Sequence, residues 1–199
     1  MSRLAHLCLP ILLAFAAGCD ETDAVAVRLT VAEDFSGTVR TSSLALPREP
    51  GLLEQSVSGA QWDSSVEVVC AAGRFAALAD LALADIVIRG GTTPEGLSFV
   101  RIELPRGEGA RWPRAFVPLT VEERRRAVAA LDPSGRAKEV GATVKLEVEL
   151  PSDAVGNGLT GRARGTRTKS EGTLATLTVP LDVATTAGDP IVWHLTWQR

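Results

Sequence analysis

The stretch from 142 to 150 constrains the fold more than any other part of the chain. Valine or leucine stands at 144, 146, 148 and 150, and threonine, lysine or glutamate stands at 143, 145, 147 and 149. Because successive side chains of a β-strand point to opposite faces, this alternation predicts an antiparallel strand with one buried face and one face in water. A strand needs neighbours to complete its backbone hydrogen bonds, so the sequence predicts a sheet.

The same two-residue period recurs at both ends of the chain. Residues 25–31 alternate in the same way, and the turn-forming sequence Glu-Asp-Phe-Ser-Gly at 33–37 separates them from a return strand at 37–46, which predicts an opening β-hairpin. The alanine-rich stretch 75–85 fits a short helix as well as a strand. Further strands are predicted at 62–71, 81–89, 96–104, 159–168, 173–181 and 190–197.

One main helix is predicted near 120–131. Thr120 and Glu123 have the spacing of a capping box, and Asp-Pro-Ser-Gly at 132–135 provides a stop signal. The three arginines at 124–126 spread over too wide an arc to form one patch, so we expect them on a solvated surface. The fold class is therefore α+β, mostly antiparallel β, with a single sheet-dominated domain.

The first eighteen residues have the composition of a secretory leader. Arg3 supplies the positive charge, and residues 7–17 are apolar. A helix over this run would be about 17 Å long, too short for a hydrocarbon core of ~30 Å. The small residues that end the run are typical of a processing site, so we predict a signal peptide over residues 1–18.

Two kinds of processing fit the end of this leader. Ala16-Ala17-Gly18-Cys19 resembles a bacterial lipobox, in which the cysteine receives the lipid and becomes the mature N-terminus. Ordinary cleavage is the alternative, because Ala14 and Ala16 also fit an A-x-A site. We favour lipidation of Cys19.

Lipidation of Cys19 determines the domain organisation and the location. It predicts a short acidic tether at 19–23 and one β-rich domain at 24–199. Four or five extended residues reach roughly 17 Å at most, so the domain would stay close to the bilayer. We therefore expect a protein of the bacterial cell envelope, lipid-anchored on the extracytoplasmic side, with the membrane as its first partner.

Composition excludes several other functions. The net charge of −3 does not attract nucleic acid. His194 is the only histidine after the leader, and it lies opposite the apolar face that carries Trp193, so a catalytic triad has no favourable position. In the predicted strand at 62–71, Cys70 falls on the same face as two valines, which predicts that it is a buried small hydrophobe. The alternative is a reactive thiol. We predict no metal, no cofactor and no enzymatic activity.

Three features of the chain resemble the LppM-type bacterial lipoprotein domain. The first is the strand Ala-Val-Arg-Leu-Thr-Val-Ala-Glu-Asp at 26–34, which follows closely on the lipobox cysteine. The second is a strand that ends at Leu150-Pro151 and is followed by Val155 and an Asn157-Gly158 turn. The third is Trp193 in the closing strand. This resemblance implies an α+β, sheet-dominated domain outside the bacterial membrane, with a role in lipid or glycolipid handling and no catalytic residues.

The basic cluster is defined as Arg162, Arg164, Arg167 and Lys169, which gather within eight residues. In a strand, its first two members would point to one side and its last two to the other. We therefore predict that the cluster forms the projecting end of a hairpin. Charged side chains of this kind commonly keep an edge strand soluble, and the alternative is that the cluster contacts phosphate headgroups.

Three functions remain open from the sequence. The first is a non-enzymatic module that binds a lipid or another amphiphile at the membrane surface. The second is an accessory or structural lipoprotein that docks onto another envelope protein. An enzyme is the third and least favoured, because side-chain chemistry beyond carboxylates and hydroxyls is nearly absent.

Overall fold

Ten β-strands form two sheets in the computed structural model, which describes residues 26–45, 67–125, 140–161 and 163–199. The fold is α+β and is dominated by antiparallel β-sheet, as the sequence predicts. The strands are β1 (Ala26–Val31), β2 (Gly37–Ala45), β3 (Glu67–Phe75), β4 (Val87–Thr92), β5 (Ser98–Leu104), β6 (Thr143–Glu149), β7 (Ala154–Thr160), β8 (Arg167–Glu171), β9 (Leu174–Pro180) and β10 (Ile191–Trp197).

The larger sheet has the strand order β3-β2-β1-β6-β9-β8. The predicted hairpin of β1 and β2 is confirmed, with Val31 opposite Gly37. The β1–β6 pair is parallel, with Ala26 opposite Lys145. All other neighbours in this sheet are antiparallel.

The smaller sheet has the order β4-β5-β10-β7 and is antiparallel throughout. Its central strand β10 confirms the prediction from the apolar alternation at 191–197, because Ile191, Trp193, Leu195 and Trp197 are all 0% exposed. The intervening side chains of β10 lie on the opposite face and are half-buried.

A single hydrophobic cluster contains the apolar faces of both sheets. It takes side chains from β1, β6 and β9 of the larger sheet and from β5 and β10 of the smaller one. The ring of Phe35, in the β1–β2 turn, packs edge-on against Trp197 at a centroid distance of 5.8 Å. Burial of these faces from water supplies the main driving force for the fold.

Three short helical segments accompany the sheets in the described residues: α1 (Trp112–Phe116), α2, which begins at Val121 and is described to residue 125, and α3 (Leu181–Thr185). The predicted capping box at the start of α2 is present. The Thr120 backbone N–H donates to Glu123 Oε2 at 2.7 Å, and the Glu123 N–H donates to Thr120 Oγ1 at 3.3 Å. Residues 126–139 of the predicted helix and its stop signal lie outside the described residues.

The prediction for the arginines at 124–126 is wrong for Arg124, which is 7% exposed. Its side chain lies near Gly141, on the part of the larger sheet where Leu44 is also buried. Arg125 is exposed as predicted, and Arg126 lies outside the described residues. The aliphatic part of an arginine can cover apolar surface, which a charge-based argument does not anticipate.

The strand predicted at 81–89 is displaced to β4. A short 3-10 turn occupies Leu78–Asp80, and an isolated bridge joins Leu83 to Ile86. Asp85 explains the displacement, because its carboxylate accepts the backbone N–H groups of residues 111 and 112 and thereby holds this segment as a turn. The ambiguous stretch 75–85 is therefore mostly turn.

The strand predicted at 159–168 is also wrong. The chain forms β7 up to Thr160 and enters β8 only at Arg167. The expected Asn157-Gly158 turn lies inside β7, where Asn157 is opposite Leu195 and Gly158 is opposite His194.

Candidate lipid-contact site

Two of the predicted site residues lie outside the described residues. These are Cys19, the predicted lipidation site, and Arg162, the first member of the basic cluster. The other three members, Arg164, Arg167 and Lys169, are described, and all three are exposed.

Arg164 lies in the connection between β7 and β8. Gly161 begins this connection with a φ of +69°, and a Cβ there would overlap the carbonyl oxygen of Pro190, so glycine is required on both grounds. The N–H of Thr166 donates to Ala163 O at 3.1 Å and closes the turn. The predicted hairpin is wrong, because β7 pairs with β10 of the smaller sheet and β8 pairs with β9 of the larger sheet. The turn that carries Arg164 therefore connects the two sheets.

Arg167 and Lys169 lie on β8, where they are opposite Thr178 and Thr176 of β9. Directly opposed residues share a face, and these threonines lie on the outer face of the larger sheet, away from the buried Leu177. The two basic residues therefore point to the same side, as predicted for this pair.

The charges of the basic cluster are partly neutralised. Lys169 forms an ion pair with Glu171 on the same strand face. In the described part of the chain, neither Arg164 nor Arg167 forms an ion pair with a carboxylate. Among the described members, these two arginines can therefore contact an external anion without breaking an existing pair.

The outer face of the larger sheet relates the basic cluster to the beginning of β1. Ala26 is opposite Lys145, Lys145 is opposite Thr178, and Thr178 is opposite Arg167. One cross-strand row therefore joins Ala26 to Arg167. At a strand spacing of ~4.8 Å, three steps place the two residues about 14 Å apart at the same end of the sheet.

Two glutamates, Glu147 and Glu149, lie on the face of β6 that the alternation predicts to be in water. Glu147 is nearly buried, and its carboxylate lies 3.0 Å from Lys145 Nζ and 3.9 Å from an Arg28 guanidinium nitrogen. Glu149 accepts a hydrogen bond from Arg28 at 3.1 Å. Each carboxylate thus has a cationic partner, and the Arg28 contacts join β1 to β6.

The three remaining candidates, Trp193, His194 and Cys70, lie among packed side chains of the two sheets. Trp193 is fully buried, as predicted, so it is not available for docking. The His194 imidazole lies on the outer face of the smaller sheet, 5.5 Å from the Phe99 ring, and among the described residues it makes no hydrogen bond to a serine or a carboxylate. Cys70 lies in β3, half-buried and packed against the core.

No group of three histidine, cysteine, aspartate or glutamate side chains suited to a metal ion occurs within the described ranges. The same part of the chain contains no helix with the length and hydrophobicity of a membrane span. Comparison with protein-family models, curated proteins and solved structures gave no match.

Sequence reasoning did not single out the outer face of the smaller sheet. Arg89 and Arg101 lie there beside His194. The alternation within each strand predicts which face each of these residues occupies. The sequence does not show how the strands pair, and it is the pairing that makes the three residues neighbours.

Proposed function

We propose that this protein is a lipoprotein of the bacterial cell envelope, anchored through Cys19 on the extracytoplasmic side. Its β-rich domain acts as a non-enzymatic module that binds the headgroups of anionic lipids through the basic cluster. The observation that carries this proposal is the row that joins Ala26 to Arg167. The end of the sheet that follows the tether is also the end that carries the exposed arginines.

The charges of the cluster fit this role. Arg164 and Arg167 are exposed and have no carboxylate partner in the described residues. A basic side chain near an anionic membrane surface gains about 1 kcal/mol. Two or three such contacts are weak alone, but a lipid anchor would keep the domain at high local concentration beside the surface, so weak contacts would be sufficient to orient it.

The anchor is tested by replacing Cys19→Ser in the full chain. We expect the variant to incorporate no radiolabelled palmitate. Cleavage at the alternative A-x-A site would then release the protein into the soluble fraction. Cys70→Ser is the matched control and should keep both the label and the membrane location. Palmitate incorporation that persists in Cys19→Ser would contradict the anchor.

The headgroup contact is tested with vesicles and the chain from residue 19 onward carrying Cys19→Ser, which retains every residue that the structure describes. Arg164→Glu/Arg167→Glu should lower binding to phosphatidylglycerol vesicles at least tenfold, and binding of the unaltered cluster should weaken as salt rises. Arg40→Glu/Arg74→Glu is the control, because it makes the same charge change at exposed residues of β2 and β3. Equal losses in the two double variants would refute a role for the cluster.

A second function has one observation in its favour. β3 is one of the two edge strands of the larger sheet in the described residues, and Val69 on it is 43% exposed. An exposed strand edge can accept a strand from another protein, so docking onto an envelope partner is the alternative. Native mass spectrometry of protein purified from its own membrane separates the two functions, because it detects bound lipid and bound protein in the same measurement.

A further inference from the structure

One row of residues crosses all four strands of the smaller sheet on its outer face. Arg89 of β4 is opposite Arg101 of β5, Arg101 is opposite His194 of β10, and His194 is opposite Gly158 of β7. We call Arg89 and Arg101 the cationic row, and His194 continues it on β10. It faces away from the core, because Ile88, the neighbour of Arg89 on β4, is buried.

The cationic row contains an unfavourable pair. Arg89 and Arg101 are directly opposed, and like charges in that position destabilise an antiparallel sheet. Glu103 offsets part of this repulsion, since its carboxylate lies 3.4 Å from the Arg101 guanidinium. In the described residues Arg89 has no carboxylate partner. An anion that lies between the two guanidinium groups would remove the repulsion.

The surface beside the row is open and partly aromatic. The Phe99 ring lies over Gly91, where a Cβ would be 3.0 Å from the nearest ring carbon. The same ring is tilted by 44° against His194. On the other side of His194, a Cβ at Gly158 would meet only the His194 carbonyl oxygen within 4 Å. The two rings therefore border a shallow surface that no side chain of β7 fills.

The row lies near the basic cluster. Val192 is opposite Thr160, directly before Gly161 and the β7–β8 turn. His194 is two residues further along β10, which corresponds to about 7 Å. The His194 end of this face is therefore close to the β7–β8 turn, and Arg101 and Arg89 lie one and two strands further from it.

We propose that the outer face of the smaller sheet binds the phosphate headgroup of an anionic phospholipid. Arg89 and Arg101 donate hydrogen bonds to the phosphate oxygens, for which the planar, multiply donating guanidinium is well suited. His194 and Phe99 contact the remainder of the headgroup. The orientation toward the bilayer rests on the proposed function, whereas the phosphate contact itself does not.

His194 provides the probe for this site, because it is the only histidine after the leader. In the chain from residue 19 onward, its imidazole gives one set of NMR signals. We expect these signals to shift saturably with short-chain dihexanoylphosphatidylglycerol below its micelle concentration and not with dihexanoylphosphatidylcholine. Absence of a saturable shift with the anionic lipid would overturn the proposal.

Variants test whether the arginines of the cationic row make the contact with the lipid phosphate. Arg89→Gln/Arg101→Gln should weaken the apparent affinity at least tenfold, and Arg40→Gln/Arg74→Gln, the matched control, should leave it unchanged. Arg101→Lys keeps the positive charge but loses the planar guanidinium with its several donors, so it should give an intermediate affinity. This conservative variant also tests the site if the double variant does not fold. Equal affinity in all variants would refute the site.

Two further measurements complete the test: a titration with inorganic phosphate and a comparison of vesicle binding with the His194 shift. Inorganic phosphate with the same midpoint as the lipid would identify free phosphate as the ligand and overturn the lipid assignment. If Arg164→Glu/Arg167→Glu abolishes vesicle binding and leaves the His194 shift intact, the two sites are independent and both proposals stand. If the unaltered chain ignores vesicles but still shows the His194 shift, only the proposed function fails.

Discussion

The indole N–H of Trp193 donates a hydrogen bond to Asn157 Oδ1 at 2.7 Å. The side-chain amide of Asn157 in turn donates to Ser170 Oγ at 2.5 Å. Trp193 and Asn157 belong to the smaller sheet, and Ser170 belongs to β8 of the larger one. A short polar chain therefore joins the edge strands β7 and β8 and satisfies the polar atom of the buried tryptophan.

Trp193→Ala should lower the free energy of unfolding by about 3–5 kcal/mol, because it removes a fully buried aromatic side chain. Trp193→Phe should cost less, since it keeps most of the ring volume. It still removes the donor to Asn157, which adds about 1–3 kcal/mol if the amide oxygen stays without a partner. Urea unfolding followed by circular dichroism measures both values. An alanine variant as stable as the parent would contradict the role of Trp193 in the core.

Asp85 joins a turn to the start of α1. Its two carboxylate oxygens accept the backbone N–H groups of Arg111 at 2.8 Å and Trp112 at 2.7 Å. Asp85→Ala should therefore lower the free energy of unfolding by about 1–3 kcal/mol. Asp80→Ala is the matched control, because that carboxylate accepts only one exposed N–H, from Ala77 at 3.1 Å, and its loss should cost less. Equal effects would show that the Asp85 contacts contribute little.

The pKa of Asp34 is held below its ordinary value, chiefly by hydrogen bonds from the Ser36 hydroxyl at 2.6 Å and the Ser36 N–H at 3.0 Å. A carboxyl whose folded-state pKa is lowered stabilises the fold above its unfolded-state pKa, and that contribution is lost as pH falls through the folded-state pKa. Ser36→Ala should raise the Asp34 pKa and keep part of the shift, since the N–H remains. NMR titration of the carboxyl carbon measures this. Ser152→Ala, which removes only a bond to Gln198 O, should leave the pKa unchanged.

Local patterns were sufficient for the strands with strict alternation. The hairpin of β1 and β2, the strand β6 and the apolar face of β10 all follow from a period of two. The Asn157-Gly158 pair was misleading, because this dipeptide favours turns in isolation. In the folded protein, Trp193 and Ser170 satisfy the Asn157 side chain, so tertiary contacts determine the local conformation there.

The candidate sites depended on information that no local pattern contains. The charges of Arg164 and Arg167 were visible in the sequence, but the position of Arg167 near Ala26 follows from the strand order β1-β6-β9-β8. The cationic row likewise requires the registers of β4, β5 and β10. Register arises from packing along the whole strand, so residues far apart in sequence become neighbours only in the assembled sheet.

The position of β1 has a mechanical consequence. It is an inner strand, hydrogen-bonded to β2 on one side and to β6 on the other. A pull that enters the domain at Ala26 acts along the strand and loads both ladders in shear at once, whereas a pull on an edge strand can open one ladder bond by bond. The domain should therefore transmit tension from its N-terminal side without unravelling, which force spectroscopy on that attachment point can measure. A protein held by a lipid at Cys19 would be pulled through this strand.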